Sequence, residues 1–354
     1  MDYEQGNNMS SFPPPQQAGS FSGPPPYAPP AKPARTGTGW RILWGIMLAF
    51  SVLANILMFL MLIGLLVVFG AGQRSVLSEA VVREGPARNR IAMITVQGII
   101  HGELANDVYQ QLKAARGDRR VRGLIVRVNS PGGTISASDQ IYKEIQKFRE
   151  EEKIPVVAFM QGVAASGGYY TSVACDKIIA EPTTITGSIG VISWWLVVQE
   201  LLEDKLGVLP VTVKSGQKKD WPSSFRAPSP EELQYMQDKL ITPAYERFVQ
   251  VVAEGRKETL SLDDVKRLSD GGIYGAPEAL AEKLIDEIGY LDEAIALAKS
   301  LAGIDEAQVI EYRKPFTLAD FLSYRRQNQN LLKLDRTTLY ELGTPQILYL
   351  WNAY

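Results

Sequence analysis

Apolar and polar positions change rhythm along this chain, and each rhythm predicts a different kind of element. Between Arg41 and Arg74 no residue is charged, and residues 42–69 are dominated by Leu, Ile, Met, Val and Phe. Such a run predicts one membrane-spanning helix, because about 20 apolar residues cross a bilayer. Small residues follow it at Gly70-Ala71-Gly72, but a cleaved signal peptide has an apolar core of only about 7–15 residues, so the helix is expected to stay as an anchor. From residue 90 onward β-branched runs alternate with amphipathic segments, the signature of βα units around a mainly parallel sheet. Strands are predicted at residues 91–100, 123–128, 155–161, 177–180 and 208–213. A helix is predicted over 138–152, with Ile141, Ile145 and Phe148 on one face. In Ser229-Pro230-Glu231-Glu232 an N-cap, a proline at the first helical position and a capping glutamate announce a long helix. Residues 260–303 read as further short helices, and no internal repeat is visible.

Composition alters this picture at the N-terminus. Residues 1–39 hold nine of the 21 prolines, with Gly, Ser and Gln between them. That mixture cannot bury a core and predicts a disordered tail. Lys32, Arg35 and Arg41 precede the helix and Arg74, Arg83, Arg88 and Arg90 follow it; the nearest flank favours a cytoplasmic N-terminus, and since long domains translocate largely regardless of charge, the folded part is expected beyond the membrane. The remainder, 45% apolar and 21% charged over 354 residues, is ordinary for a globular domain. A net charge of −2 supplies no positive field for nucleic acid. One cysteine, Cys175, and one histidine, His101, exclude an internal disulfide and any Cys/His zinc site, and leave most catalytic triads without a base.

Chemistry is expected at three glycine-rich junctions, since ligands and nucleophiles in such folds gather at the C-terminal ends of strands. Asn129-Ser130-Pro131-Gly132-Gly133 follows a strand; paired glycines there can aim backbone N–H groups at an oxyanion or simply make a tight turn. In Gly162-Val163-Ala164-Ala165-Ser166-Gly167-Gly168-Tyr169-Tyr170, small neighbours would leave the Ser166 hydroxyl open at a helix start; the plainer reading makes Ser166 an N-cap. The stretch lacks the Gly-x-Ser-x-Gly pattern of a nucleophile elbow. Thr186-Gly187-Ser188-Ile189-Gly190-Val191 is the third junction. Nothing marks His101 as a base. Lysine can take that part where burial disfavours its charged form, and Lys214-Ser215-Gly216-Gln217-Lys218-Lys219-Asp220 offers three.

Taken in order, Asn-Ser-Pro-Gly-Gly, Gly-Val-Ala-Ala-Ser-Gly-Gly-Tyr-Tyr, Thr-Gly-Ser-Ile-Gly-Val and Ser-Gly-x-x-Lys-Asp resemble the signal peptide peptidase A (protease IV) family over roughly residues 90–300, in its short, single-repeat form. The resemblance implies Ser166 as nucleophile and Lys219 as general base, with Lys218 the neighbour most easily confused with it. Ser188 would orient the lysine, and Gly133 and Gly167 would form the oxyanion hole. It further implies an α/β fold like Clp protease and crotonase, protomers in a ring-like homo-oligomer with the dyad near their contacts, remnant signal peptides as substrates, and a bacterial cell membrane location with lipid contact through residues 42–69. No metal or cofactor is required, and nucleic acid is not an expected partner. The expected organisation is a tail over 1–39, an anchor over 40–72, a stalk over 73–89, a peptidase domain over 90–303 and a C-terminal extension over 304–354. A crotonase-like acyl-CoA enzyme and a non-catalytic membrane scaffold are the alternatives. Finally, Thr344-Pro345-Gln346-Ile347-Leu348-Tyr349-Leu350-Trp351 is apolar at a chain end, where chains are usually polar. It is expected to be packed filler on its own domain or a neighbour; the sharper alternative makes it an added strand in a substrate groove.

Overall fold

The computed structural model describes residues 37–71, 77–314 and 346–351. The tail reading for 1–39 falls almost wholly outside them. Two units are separable, residues 1–74 and 75–354. In the first, α1 (Thr38–Ala71) contains a 27-residue stretch, Gly39–Leu65, with mean hydropathy 2.6 and no buried side chain. By length and composition this helix can cross a membrane.

The second unit contains, in chain order, β1 (Ser78–Arg83), β2 (Arg90–Gln97), α2 (Gly102–Gly117), β3 (Val121–Ser130), β4 (Gly132–Thr134), α3 (Ile135–Glu152), β5 (Val156–Ala165), α4 (Gly167–Ser172), β6 (Lys177–Ala180), β7 (Ile185–Gly187) and β8 (Ile192–Trp194). After a long connection come α5 (Pro230–Met236), α6 (Thr242–Gly255), α7 (Leu262–Arg267), β9 (Ile273–Gly275), α8 (Ala276–Ala281), β10 (Glu287–Ile288), α9 (Leu291–Leu301), β11 (Gln308–Arg313) and β12 (Gln346–Leu350). The main sheet has the order β1-β11-β2-β3-β5-β6-β10, with β7 paired to β5 and β9 to β7. Its central pairings are parallel. Parallel strands are covered on both faces, so they read as continuous apolar runs; Leu124, Ile125, Val126 and Val128 of β3 are all fully buried. On one face α2 inserts Val108 and Leu112, and α3 inserts Ile141, Ile145 and Phe148. The other face buries Ile91, Met93, Ile125 and Phe159 beneath Ala294 and Ala298 of α9.

This is the mainly parallel, helix-flanked sheet that the sequence pattern predicts, and the Clp protease-like fold that the resemblance implies, with four local differences. Residues 208–213 form no strand: Val208, Val211 and Val213 are exposed, the last 96%, no described strand lies beside them, and Val208 N–H instead donates to Leu202 O at 2.8 Å. The segment read as stalk instead supplies β1, antiparallel to β11. The segment read as a C-terminal extension supplies β11 itself, parallel to β2. Lastly, the helix announced at Ser229 runs from α5 through a wider turn at Gln237–Ile241 into α6.

Candidate active site

The three junctions meet at the C-terminal ends of β3, β5 and β7. Strand β5 ends at Ala165 and α4 begins at Gly167, leaving Ser166 between them at φ 53° and ψ −113°. That conformation is rarely adopted by any residue with a Cβ and costs about 1–3 kcal/mol. The turn from strand to helix is as sharp as that of a nucleophile elbow, though the Gly-x-Ser-x-Gly motif is absent. Ser166 N–H donates to Gly187 O at 2.8 Å, and a Cβ on Gly168 would sit 2.6 Å from Ser130 O, so the second residue after the serine has to be small. The register of β5 with β7 sets Ala165 opposite Gly187. Ser166 and Ser188 therefore leave adjacent strand ends side by side, and Ser188 too has positive φ, 50°. Ser166 does not N-cap α4, since its side chain makes no capping bond.

The first junction faces the same point. Ser130 Oγ, wholly buried, donates to Gly98 O at 2.6 Å and accepts from Gly132 N–H at 3.0 Å, which spends the Gly132 donor and shapes the loop. Ile100 bridges Gly133, and a Cβ on Gly132, which has φ +102°, would fall 2.7 Å from Gly167 N. Gly132, Gly133 and Gly167 thus come together next to Ser166.

Strand β12 of the same chain lies against these glycines. Strand β12 lies antiparallel between β4 and β8, with Tyr349 opposite Gly133. Trp351 N–H donates to Pro131 O at 2.8 Å, and hydrogen-bonded pairs alternate along an antiparallel ladder. Tyr349 and Gly133 are accordingly also a hydrogen-bonded pair, which sets the Tyr349 carbonyl on the Gly133 N–H. A Cβ on Gly132 or Gly167 would lie 2.0 or 3.1 Å from that carbonyl oxygen. The Tyr349 ring is fully buried, stacked on Tyr170 at 5.0 Å and tilted against Phe248 at 4.7 Å, and its hydroxyl donates to Ala244 O at 2.7 Å. Burial pushes the Tyr349 and Tyr170 phenols well up. Sequence reasoning misses this aromatic pocket: Tyr170 belongs to a quoted motif, but Phe248 and Ala244 carry no signal beyond the apolar face of a helix.

His101 is accounted for at the N-cap of α2, exposed, its Nδ1 accepting Leu104 N–H at 3.3 Å. The lysine loop is also exposed, and its three lysines differ sharply. Lys214 Nζ donates to Asp220 at 2.7 Å and to Gln217 O at 3.2 Å, while Lys218 Nζ lies 4.3 Å over the Tyr235 ring and 5.4 Å over Trp221. Among the described residues the Lys219 side chain has no hydrogen bond, ion pair or ring contact, and none joins it to Ser166 or Ser188. The hydroxyls repeat the contrast. Ser130, Ser138, Thr171, Ser172, Thr184 and Thr186 all donate to backbone carbonyls, whereas those of Ser166 and Ser188 have no partner among the described residues.

Comparison with known proteins bears on what this arrangement does. A model of Clp protease matches residues 86–184, and one of peptidase family S49 matches residues 148–305. A putative signal peptide peptidase SppA of Enterococcus faecium is 39% identical over 252 residues, 68% of this chain and 72% of that one. The chain belongs to peptidase family S49. A putative protease of Synechocystis is 40% identical over 232 residues, 64% of this chain and 81% of that one. Protease 4 of Salmonella typhi is 36% identical over 212 residues, covering 60% of this chain and 33% of that protein. Membership of S49 makes the chain a serine peptidase and displaces the acyl-CoA and scaffold alternatives.

Proposed function

We propose that this S49 peptidase hydrolyses short apolar peptides, remnant signal peptides among them, through a Ser166–Lys219 dyad completed when copies of the chain assemble at a membrane. The observation that carries the reading is a set of unpartnered groups: among the described residues, Ser166 Oγ, Ser188 Oγ and Lys219 Nζ make no side-chain hydrogen bond or ion pair, while Lys214 and Lys218 are engaged. In one chain Lys219 is exposed and Ser166 is buried. A second copy, seated on the exposed apolar residues Val208, Leu209, Val211 and Val213 that lead into the lysine loop, would bring a Lys219 to each Ser166 and remove it from water.

Chemically, Lys219 Nζ takes the proton of Ser166 Oγ, and the oxygen attacks the peptide carbonyl carbon. The resulting oxyanion rests on the Gly133 and Gly167 N–H groups, each such donor being worth about 3 kcal/mol. The lysine ammonium then protonates the leaving amine as the C–N bond breaks, and a water deprotonated by the same lysine releases the acyl group and restores the serine. Ser188, beside Ser166 at the neighbouring strand end, holds the amine in line. Labelling by a fluorophosphonate probe that Ser166→Ala abolishes, with concentration dependence matching an assembled species, tests the reading; a monomer that labels and turns over equally well refutes assembly of the dyad between copies.

In the same reading α1 anchors the enzyme with its N-terminus cytoplasmic and the peptidase outside. Deleting residues 1–75 should give a protein that stays in solution, assembles and still cleaves peptides, because β1 starts at Ser78. Deleting residues 1–89 should instead cost several degrees of melting temperature, since it strips β1 from β11 and bares a sheet edge. Calorimetry and sedimentation of the two truncations check both statements.

A further inference from the structure

Immediately after the base stands a carboxylate, Asp220, and an anion beside a lysine favours the protonated form that cannot accept a proton. The fold occupies this one elsewhere. Asp220 accepts from Lys214 Nζ at 2.7 Å and lies 3.5 Å from Arg226 Nε; the Lys214 hydrogen bond, opposed by some desolvation and aided by Arg226, holds its carboxyl below the usual range. Arg226 in turn donates Nη1 to Glu232 Oε2 at 2.6 Å. Glu232 is the residue that the sequence marks as a capping glutamate, and here the structure departs from expectation. Ser229 Oγ accepts Glu232 N–H at 3.1 Å, but the carboxylate does not reach back to close the cap. It turns to Arg226 and is completely buried, with Glu232 Oε1 and Arg226 Nη2 left buried and unpartnered. Burying a carboxylate with incomplete pairing costs several kcal/mol, whereas the solvent-side capping box would have been favourable. A helix start alone does not account for that choice.

We propose that Glu232 and Arg226 are positioning residues which hold Asp220 on its own cations and away from Lys219, fixing the turn Gln217–Asp220 so that its lysine is presented without an intrachain counter-ion. The proposal rests on Lys219 being the base. The charged and titratable groups around this turn are Lys214, Lys218, Asp220 and Arg226, with Tyr235 and Glu232 on α5. Lys218 is occupied by the Trp221 and Tyr235 rings, so release of Asp220 leaves Lys219 as its nearest unengaged cation in sequence.

The test is the pH dependence of kcat/KM for an apolar peptide, using the full chain in detergent. Arg226→Met should lower kcat/KM at neutral pH about tenfold and move the rising limb about one unit toward alkaline pH, as expected when a tenfold larger fraction of the base is protonated. Adding Asp220→Asn should move the limb back. Lys214→Met, at an exposed site that does not put folding at stake, should shift it in the same direction as Arg226→Met. Loss of activity that is equal at every pH, or a shift that Asp220→Asn fails to reverse, overturns the proposal. Retention of full activity by Lys219→Ala overturns instead the dyad on which it rests.

Discussion

Ser166→Ala and Lys219→Ala should each lower peptide hydrolysis by about 10⁴-fold or more, the scale on which a nucleophile or its base is lost from a serine peptidase, with melting temperature changed little. His101→Ala should leave turnover within a few-fold of wild type and cost about 1 kcal/mol of stability, because what it removes is an N-cap. A histidine variant as inactive as the serine variant would sink the dyad assignment. The backbone at Ser166 adds a second, independent readout. Its φ of 53° and ψ of −113° are open to glycine and strained for everything else. Ser166→Gly should consequently unfold at a higher temperature than Ser166→Ala while being equally inactive. Equal stability of the two would mean that the turn is not strained and that Ser166 is no elbow.

Much of this site is legible in the amino-acid sequence, and the reason is local. Ser166, Ser188 and the glycines beside them at the strand ends are placed by backbone geometry that only a few residue types satisfy, so the sequence there is constrained to small residues: a Cβ at Gly132, Gly167 or Gly168 would strike a neighbour at 3 Å or less. The parallel core is legible for a related reason, since β2, β3 and β5 are buried on both faces and announce themselves as unbroken apolar runs. What the sequence hides depends on partners far away along the chain. Nothing in residues 78–83 says that they pair with residues 309–313, so a strand looks like a stalk. Val208, Val211 and Val213 have the right propensity but no strand beside them among the described residues, so a coil looks like a strand. Glu232 carries a capping signature that a long-range ion pair overrides. In each case the local rule is sound and a tertiary partner, present or missing, decides the outcome.

Removing residues 344–354 should lower the apparent KM for an apolar peptide about tenfold or more while kcat stays the same. Strand β12 occupies the place where an extended substrate would add to the sheet, between β4 and β8, and its tethering to the same chain gives it an effective concentration in the millimolar range, against which an external peptide must compete. The register says more. With the Tyr349 carbonyl on the Gly133 amide, the peptide bond nearest the oxyanion donors is Tyr349–Leu350, so enzyme stored without inhibitor should lose Leu350 to Tyr354, detectable by intact mass, whereas Ser166→Ala should keep them. The pocket around the Tyr349 ring then predicts the side chain preferred at that position: a large aromatic one, with tyrosine favoured over phenylalanine about fivefold, since the phenol donates to Ala244 O and a neutral hydrogen bond contributes about 1 kcal/mol. A synthetic peptide spanning residues 344–349 should inhibit the truncated enzyme competitively and restore the aromatic stack with Tyr170 and Phe248. If truncation instead leaves KM unchanged and drops the melting temperature or disperses the assembly, β12 is packing and not an occupant of the groove.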